Sequence, residues 1–113
     1  MKIYHNPRCS KSRQALSLIQ EKGENPKIIE YLKERISIED LGLLLAMLKI
    51  KPIALIRKNE QIWKEKYNGK ELTYDEIIMA MVENPKLIER PIVVKNGKAI
   101  IGRPPEKVLN LLS

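Results

Sequence analysis

This chain of 113 residues contains one cysteine and one histidine, and both scarcities exclude chemistry. A lone cysteine cannot close an intramolecular disulfide, which argues against a disulfide-framed secreted scaffold. One Cys and one His cannot supply a zinc site, so no metal centre is expected. No apolar run approaches the about 18 residues of a membrane span. The opening residues Met1 to Pro7 meet a polar turn almost at once and do not read as a signal peptide. A reducing cytoplasm is the expected compartment. Aromatics make up only 4% of the chain, with no Phe. That leaves no stacking surface for single-stranded nucleic acid, and no nucleic-acid-binding motif is present. The net charge is +7, which favours anionic partners. No block of about five like charges occurs, however, and most lysines read as solvated surface. Neither membrane nor nucleic acid is therefore an expected partner. Repeats, linkers and low-complexity segments are also absent, so one domain over 1–113, long enough to bury a core, is expected; a monomer is the expected state.

The apolar pattern divides the chain into elements. Lys2 to Tyr4 is β-compatible and is stopped by Asn6-Pro7. Ala15, Leu16, Leu18 and Ile19 follow at helical spacing, with Gly23 as a C′ residue. Lys27 to Tyr31 reads as a second strand. Ser37 caps a helix carrying Leu41, Leu44, Leu45 and Leu48, and Pro52 opens a short helix through Ile56. Thr73-Tyr74-Asp75-Glu76 is a full capping box before Ile77, Ile78 and Met81. Asn84-Pro85 ends that helix. Pro91 to Val94 is a β-branched run, Asn96-Gly97 is a hairpin turn, and Lys98 to Ile101 is the return strand. Pro104 and Pro105 open a last helix with Val108, Leu109, Leu111 and Leu112 apolar. The order β-α-β, helices, β-β-α matches the thioredoxin plan, an α/β sheet with a helical insertion at about 33–88 between the second strand and the C-terminal hairpin.

The reactive chemistry is expected at Cys9. It lies between a turn and the first turn of a helix, where unpaired N–H groups and the helix dipole favour a thiolate. An ordinary thiol has a pKa of about 8.5, and such a setting lowers it. Arg8, Lys11 and Arg13 add positive charge. A lone cysteine is often a small buried hydrophobe; polar neighbours and clustered cations favour the reactive reading here. His5, four residues upstream, is a candidate to tune the thiolate. In Cys9-Ser10-Lys11-Ser12 a serine stands where a C-x-x-C motif carries its resolving thiol. Oxidised Cys9 therefore needs an external thiol. Ser12 is free to cap the helix or to donate a hydrogen bond to the thiolate.

His5-Asn6-Pro7-Arg8-Cys9-Ser10-Lys11-Ser12-Arg13 resembles the H-N-P-x-C-x-x-S-R loop of glutaredoxin-coupled arsenate reductases. The likeness continues through Ile56-Arg57-Lys58-Asn59, Asn84 to Val94 and Gly102-Arg103-Pro104, and so covers essentially the whole chain. It implies a catalytic set of Cys9, His5 and Ser12, with Cys9 attacking arsenate or a similar oxyanion. It implies that Arg57, Arg90 and Arg103 hold that oxyanion, and that Pro91 is the cis-proline which thioredoxin folds place beside the reactive thiol. It also implies no bound cofactor: glutathione serves as co-substrate, and glutaredoxin clears the mixed disulfide from Cys9. The chemistry of the residues fits this role. Guanidinium forks match tetrahedral oxyanions, and clustered cations offset the repulsion between a thiolate and an anion.

The chain departs from the best-described reductases at Ser10-Lys11, where they carry Gly-Thr. The change adds a cation, removes glycine's backbone freedom, and matches an arsenate reductase-like subgroup. Two other readings stay open. One is a glutathione-linked thiol oxidoreductase without arsenate activity. The other is a regulator of the Spx type, which shares the fold and binds RNA polymerase; Ser12 removes the two-cysteine switch typical of those proteins.

Overall fold

Local signals set several element boundaries in the computed structural model, which describes residues 1–112. The chain forms two compact units, 1–34 with 90–112 and 35–89. In the first, β1 (Lys2–Tyr4) leads through a turn to α1 (Ser10–Glu21) and β2 (Lys27–Ile29). After residue 90 come β3 (Ile92–Lys95), β4 (Lys98–Ile101) and a 3₁₀ helix over Pro105–Leu111. The four strands form one mixed sheet in the order β2-β1-β3-β4. Strands β1 and β2 are parallel, while β3 is antiparallel to both β1 and β4. This is the thioredoxin-like α/β arrangement, with helices inserted between β2 and the terminal hairpin.

One face of the sheet presents Ile3 and Val93. Ala15 and Ile19 of α1 and Val108 of the 3₁₀ helix pack there, all fully buried. The hairpin turns on Asn96 and Gly97, with φ of 52° and 75°. Two successive left-handed residues match the right-handed twist of the strands they join. Gly23, at φ 82°, follows the end of α1, and its N–H and that of Glu24 return to Gln20 O and Ile19 O at 3.0 and 3.3 Å. A glycine allows this left-handed stop without a Cβ penalty.

Two elements differ from the sequence expectation. β2 ends at Ile29 rather than Tyr31. It is an edge strand whose partner β1 is only three residues long, so pairing runs out at Tyr4–Ile29. The chain then bends through bonds from Lys33 N and Glu34 N to Glu30 O, and Tyr31 is buried. The last helix is 3₁₀ rather than α. Pro105, Val108 and Leu111 recur every three residues and so line one face of a three-residue-per-turn helix. Pro105 and Val108 are buried, and Leu111 packs against the core.

The second unit is helical: α2 (Ile38–Leu48), α3 (Gln61–Lys66) and α4 (Tyr74–Glu83), with 3₁₀ turns at Pro52–Leu55 and Pro85–Leu87. Ser37 Oγ accepts from Asp40 N at 3.0 Å. Thr73 and Glu76 form the reciprocal capping box, at 2.8 and 3.2 Å. The core of this unit holds Leu41, Leu44, Leu45, Leu55, Met81 and Leu87. Helix α3 has no sequence signal of its own beyond buried Trp63, which stacks on Tyr67. A bridge pairs Ile56 with Ile88, and it is locked by Arg57 N to Leu87 O at 2.7 Å and Glu89 N to Leu55 O at 2.9 Å. Among the described residues, no helix is long and apolar enough to cross a membrane.

Candidate active site

The strand register brings four chain segments to one end of the sheet. Ile29, Tyr4, Ile92 and Ile101 lie side by side across it. The residues just beyond that row are Glu30, His5, Arg90-Pro91 and Gly102-Arg103. Segments far apart in sequence therefore meet where β1 hands over to α1.

The turn between them is held from within. Asn6 O accepts from Cys9 N at 3.0 Å, and Asn6 Oδ1 accepts from Arg8 N at 3.0 Å. Asn-Pro is well suited to such a turn, since the amide side chain bonds its own backbone and proline fixes φ. Arg13 reaches back and donates to Pro7 O at 2.8 Å. Cys9 is the N-cap of α1, with its carbonyl accepting from Arg13 N at 3.0 Å. Its thiol is a free, partly exposed group at the positive end of a twelve-residue helix.

Burial pushes the Cys9 thiol up, but opposing groups outweigh it. The Ser12 N–H and the Arg90 guanidinium hydrogen-bond the sulfur. Arg90 also acts through its charge, and the Lys11 N–H adds a further bond; the net pKa lies below the ordinary thiol value. Arg103 Nη1 sits 3.9 Å from Cys9 Sγ and 3.4 Å from Arg90 O. Two guanidinium groups from the far end of the chain thus lie beside the sulfur. Arg90 Nε is buried and has no hydrogen-bond partner among the described residues.

The peptide bonds Arg90–Pro91 and Arg103–Pro104 are both cis. Gly102 N donates to Pro91 O at 2.9 Å, and a Cβ on Gly102 would lie 3.0 Å from both Pro91 Cγ and Val108 Cγ1. Glycine is needed here for close approach.

His5 and Ser12 are both buried. His5 Nδ1 and Ser12 Oγ are 2.6 Å apart, and Ser12 Oγ accepts from Asn6 N at 3.1 Å. The serine hydroxyl is thus tied to the histidine and the turn, and it is the serine's backbone N–H that meets the thiolate. Burial lowers the His5 pKa, Glu30 raises it and Arg13 lowers it, with a net depression that favours neutral imidazole. Arg57 belongs to the second unit. Its Nε lies 3.4 Å from Glu60 Oε2 and is buried without a hydrogen-bond partner among the described residues. No group of three or more His, Cys, Asp or Glu among the described residues is arranged to hold a metal ion.

A thiol of lowered pKa at a helix N-terminus, with guanidinium groups beside it, forms a thiolate more readily and can attack an electrophilic oxyanion or exchange with a disulfide. Spacing along the chain does not reveal the convergence of Arg90 and Arg103 on Cys9; antiparallel pairing of β3 with β1 and β4 creates it.

Known proteins carry the same plan. The model of the ArsC family matches residues 4–111. An arsenate reductase from Haemophilus influenzae is 41% identical over 112 residues, covering 97% of each chain. An uncharacterised Escherichia coli protein, YfgD, is 47% identical over 99% of this chain and 96% of its own. The solved structure of an arsenate reductase from Vibrio cholerae superposes with a TM-score of 0.93 at 47% identity, covering 97% of this chain and 95% of that one. A matched family model spanning nearly every residue, with full-length relatives, places this chain in the ArsC family.

Proposed function

We propose that this chain is an arsenate reductase that uses Cys9 as its nucleophile and an external thiol to complete the reduction. The observation that carries the reading is the Cys9 sulfur at the start of α1, its pKa lowered and Arg90 and Arg103 beside it. Arsenate is a tetrahedral oxyanion, and it would satisfy the buried Arg90 Nε donor together with the Arg103 fork.

The thiolate attacks arsenic(V). An As–S bond forms and one arsenate oxygen leaves as water after protonation. A glutathione thiolate then attacks Cys9 Sγ. The S–S bond forms, the As–S bond breaks, and its electron pair departs with arsenic as arsenite. Glutaredoxin exchanges with the glutathionyl group, returning Cys9 as a thiolate. Ser12, lacking a thiol, makes the external partner obligatory. His5 and Ser12 brace the turn that aims the sulfur. The cycle needs a reducing compartment, so the cytoplasm is its setting, and one chain suffices to present the site.

The test is arsenate-dependent NADPH oxidation by the purified protein, coupled through glutathione, glutaredoxin and glutathione reductase. Turnover that disappears in Cys9→Ser is the expected result. Equal turnover in Cys9→Ser would overturn the mechanism, and no turnover in the parent protein would overturn the substrate.

A further inference from the structure

We propose that the cleft on the β2 side of the Cys9 turn is the docking site for the reducing thiol, a small peptide thiol of the glutathione class with two carboxylates and one ammonium. This rests on the reading that an external thiol attacks Cys9. The cleft encloses about 220 Å³ and is lined by residues 5–8 of the turn together with Glu30, Leu32 and Lys33.

Three observations converge on it. The first is position. The sheet order β2-β1-β3-β4 puts the Cys9 turn between two flanks. Arg90 and Arg103 lie beyond the ends of β3 and β4, and Glu30 to Lys33 lie beyond the end of β2. Displacement at divalent sulfur runs in line, with the entering thiolate opposite the departing group. An arsenic atom held on the Arg90–Arg103 flank leaves the β2 flank as the side of entry. The second is charge. The cleft carries two cations, Arg8 and Lys33, and one carboxylate, Glu30, the inverse of a dicarboxylate with one ammonium. A second cleft beside the start of α1 carries Arg13 against Glu21 and Glu106, the opposite balance, which repels such a thiol. The third is availability. Arg8 and Lys33 are exposed, and the Lys33–Glu30 contact is a surface pair at 3.5 Å, weak enough to exchange for ligand contacts. Leu32, 40% exposed, offers an apolar floor for the methylenes of the peptide.

The experiment separates this cleft from arsenate chemistry. Cys9 is converted to its mixed disulfide with thionitrobenzoate, and release of the coloured thiol is followed in stopped flow with glutathione and, separately, with uncharged mercaptoethanol. Mass spectrometry confirms glutathione on Cys9. The expected result is a rate that saturates with glutathione but stays linear with mercaptoethanol. In Arg8→Glu/Lys33→Glu, saturation is lost and the glutathione rate constant falls about tenfold relative to mercaptoethanol, the scale of two lost surface ion pairs. The preference also shrinks as salt rises. A linear glutathione dependence in the parent protein, or equal changes for both thiols in the variant, would overturn the proposal. Silence in the arsenate assay alongside a saturable, charge-dependent exchange would count against the reductase reading and leave the cleft standing.

Discussion

At the residue scale, the site is an electrostatic balance around one sulfur. Burial works against the Cys9 thiolate; the Ser12 N–H, Arg90 and the Lys11 N–H overcome it. Arg90→Ala is therefore expected to raise the Cys9 pKa, read from the ultraviolet absorbance of the thiolate against pH. The same change should weaken arsenate binding by about 1.5–3 kcal/mol, the worth of hydrogen bonds to a charged group, read as a rise in KM. An unmoved thiol pKa would remove Arg90 from the sulfur's surroundings. His5 makes a separate prediction. Its folded-state pKa is depressed, so the unfolded chain takes up the proton first. The stability this gives is complete above the ordinary histidine pKa. It is lost as pH falls through that value and levels off below the folded-state pKa. Urea unfolding at stepped pH should show this loss, and it should be smaller in His5→Asn.

At the element scale, short-range signals and packing divide the work. Ser37 and Thr73 cap α2 and α4 as their spacing predicts, because a cap is satisfied within one turn of its own chain. Thr73→Ala should cost about 1 kcal/mol, seen as a lower urea midpoint with an unchanged slope. The Asn96-Gly97 turn is equally local. Gly102 answers instead to packing, since Pro91 and Val108 each approach to 3.0 Å of where a Cβ would stand. Gly102→Val should destabilise by about 1–3 kcal/mol through overpacking and lower Cys9 reactivity, because the displaced neighbour is Pro91, next to Arg90. A variant with parental stability and thiol reactivity would show that this contact relaxes freely. The elements that sequence periodicity described least well are β2, the terminal 3₁₀ helix and α3. The length of β2 is set by its partner, the terminal helix follows a three-residue apolar repeat, and α3 contributes one buried tryptophan.

At the scale of the whole molecule, charge acts at a distance. A net +7 draws small anions toward the guanidinium pair, and salt screens that attraction over about 10 Å at 0.1 M. The kcat/KM for arsenate should fall as sodium chloride is raised, with kcat nearly constant; a salt-independent value would confine the effect to direct contacts.

By itself the sequence determined the helix caps, the hairpin, the order of the strands and of every helix but α3, and a single thiol at a helix start with no partner cysteine. These follow from interactions within a few residues, or from counting. Only the tertiary structure decided that Arg90 and Arg103 reach Cys9, that Ser12 turns its hydroxyl to His5 and its N–H to the sulfur, and that Glu30 and Lys33 line one cleft with Arg8. Those pairings depend on strand register and on which groups compete for each hydrogen bond, and neither is encoded in spacing along the chain.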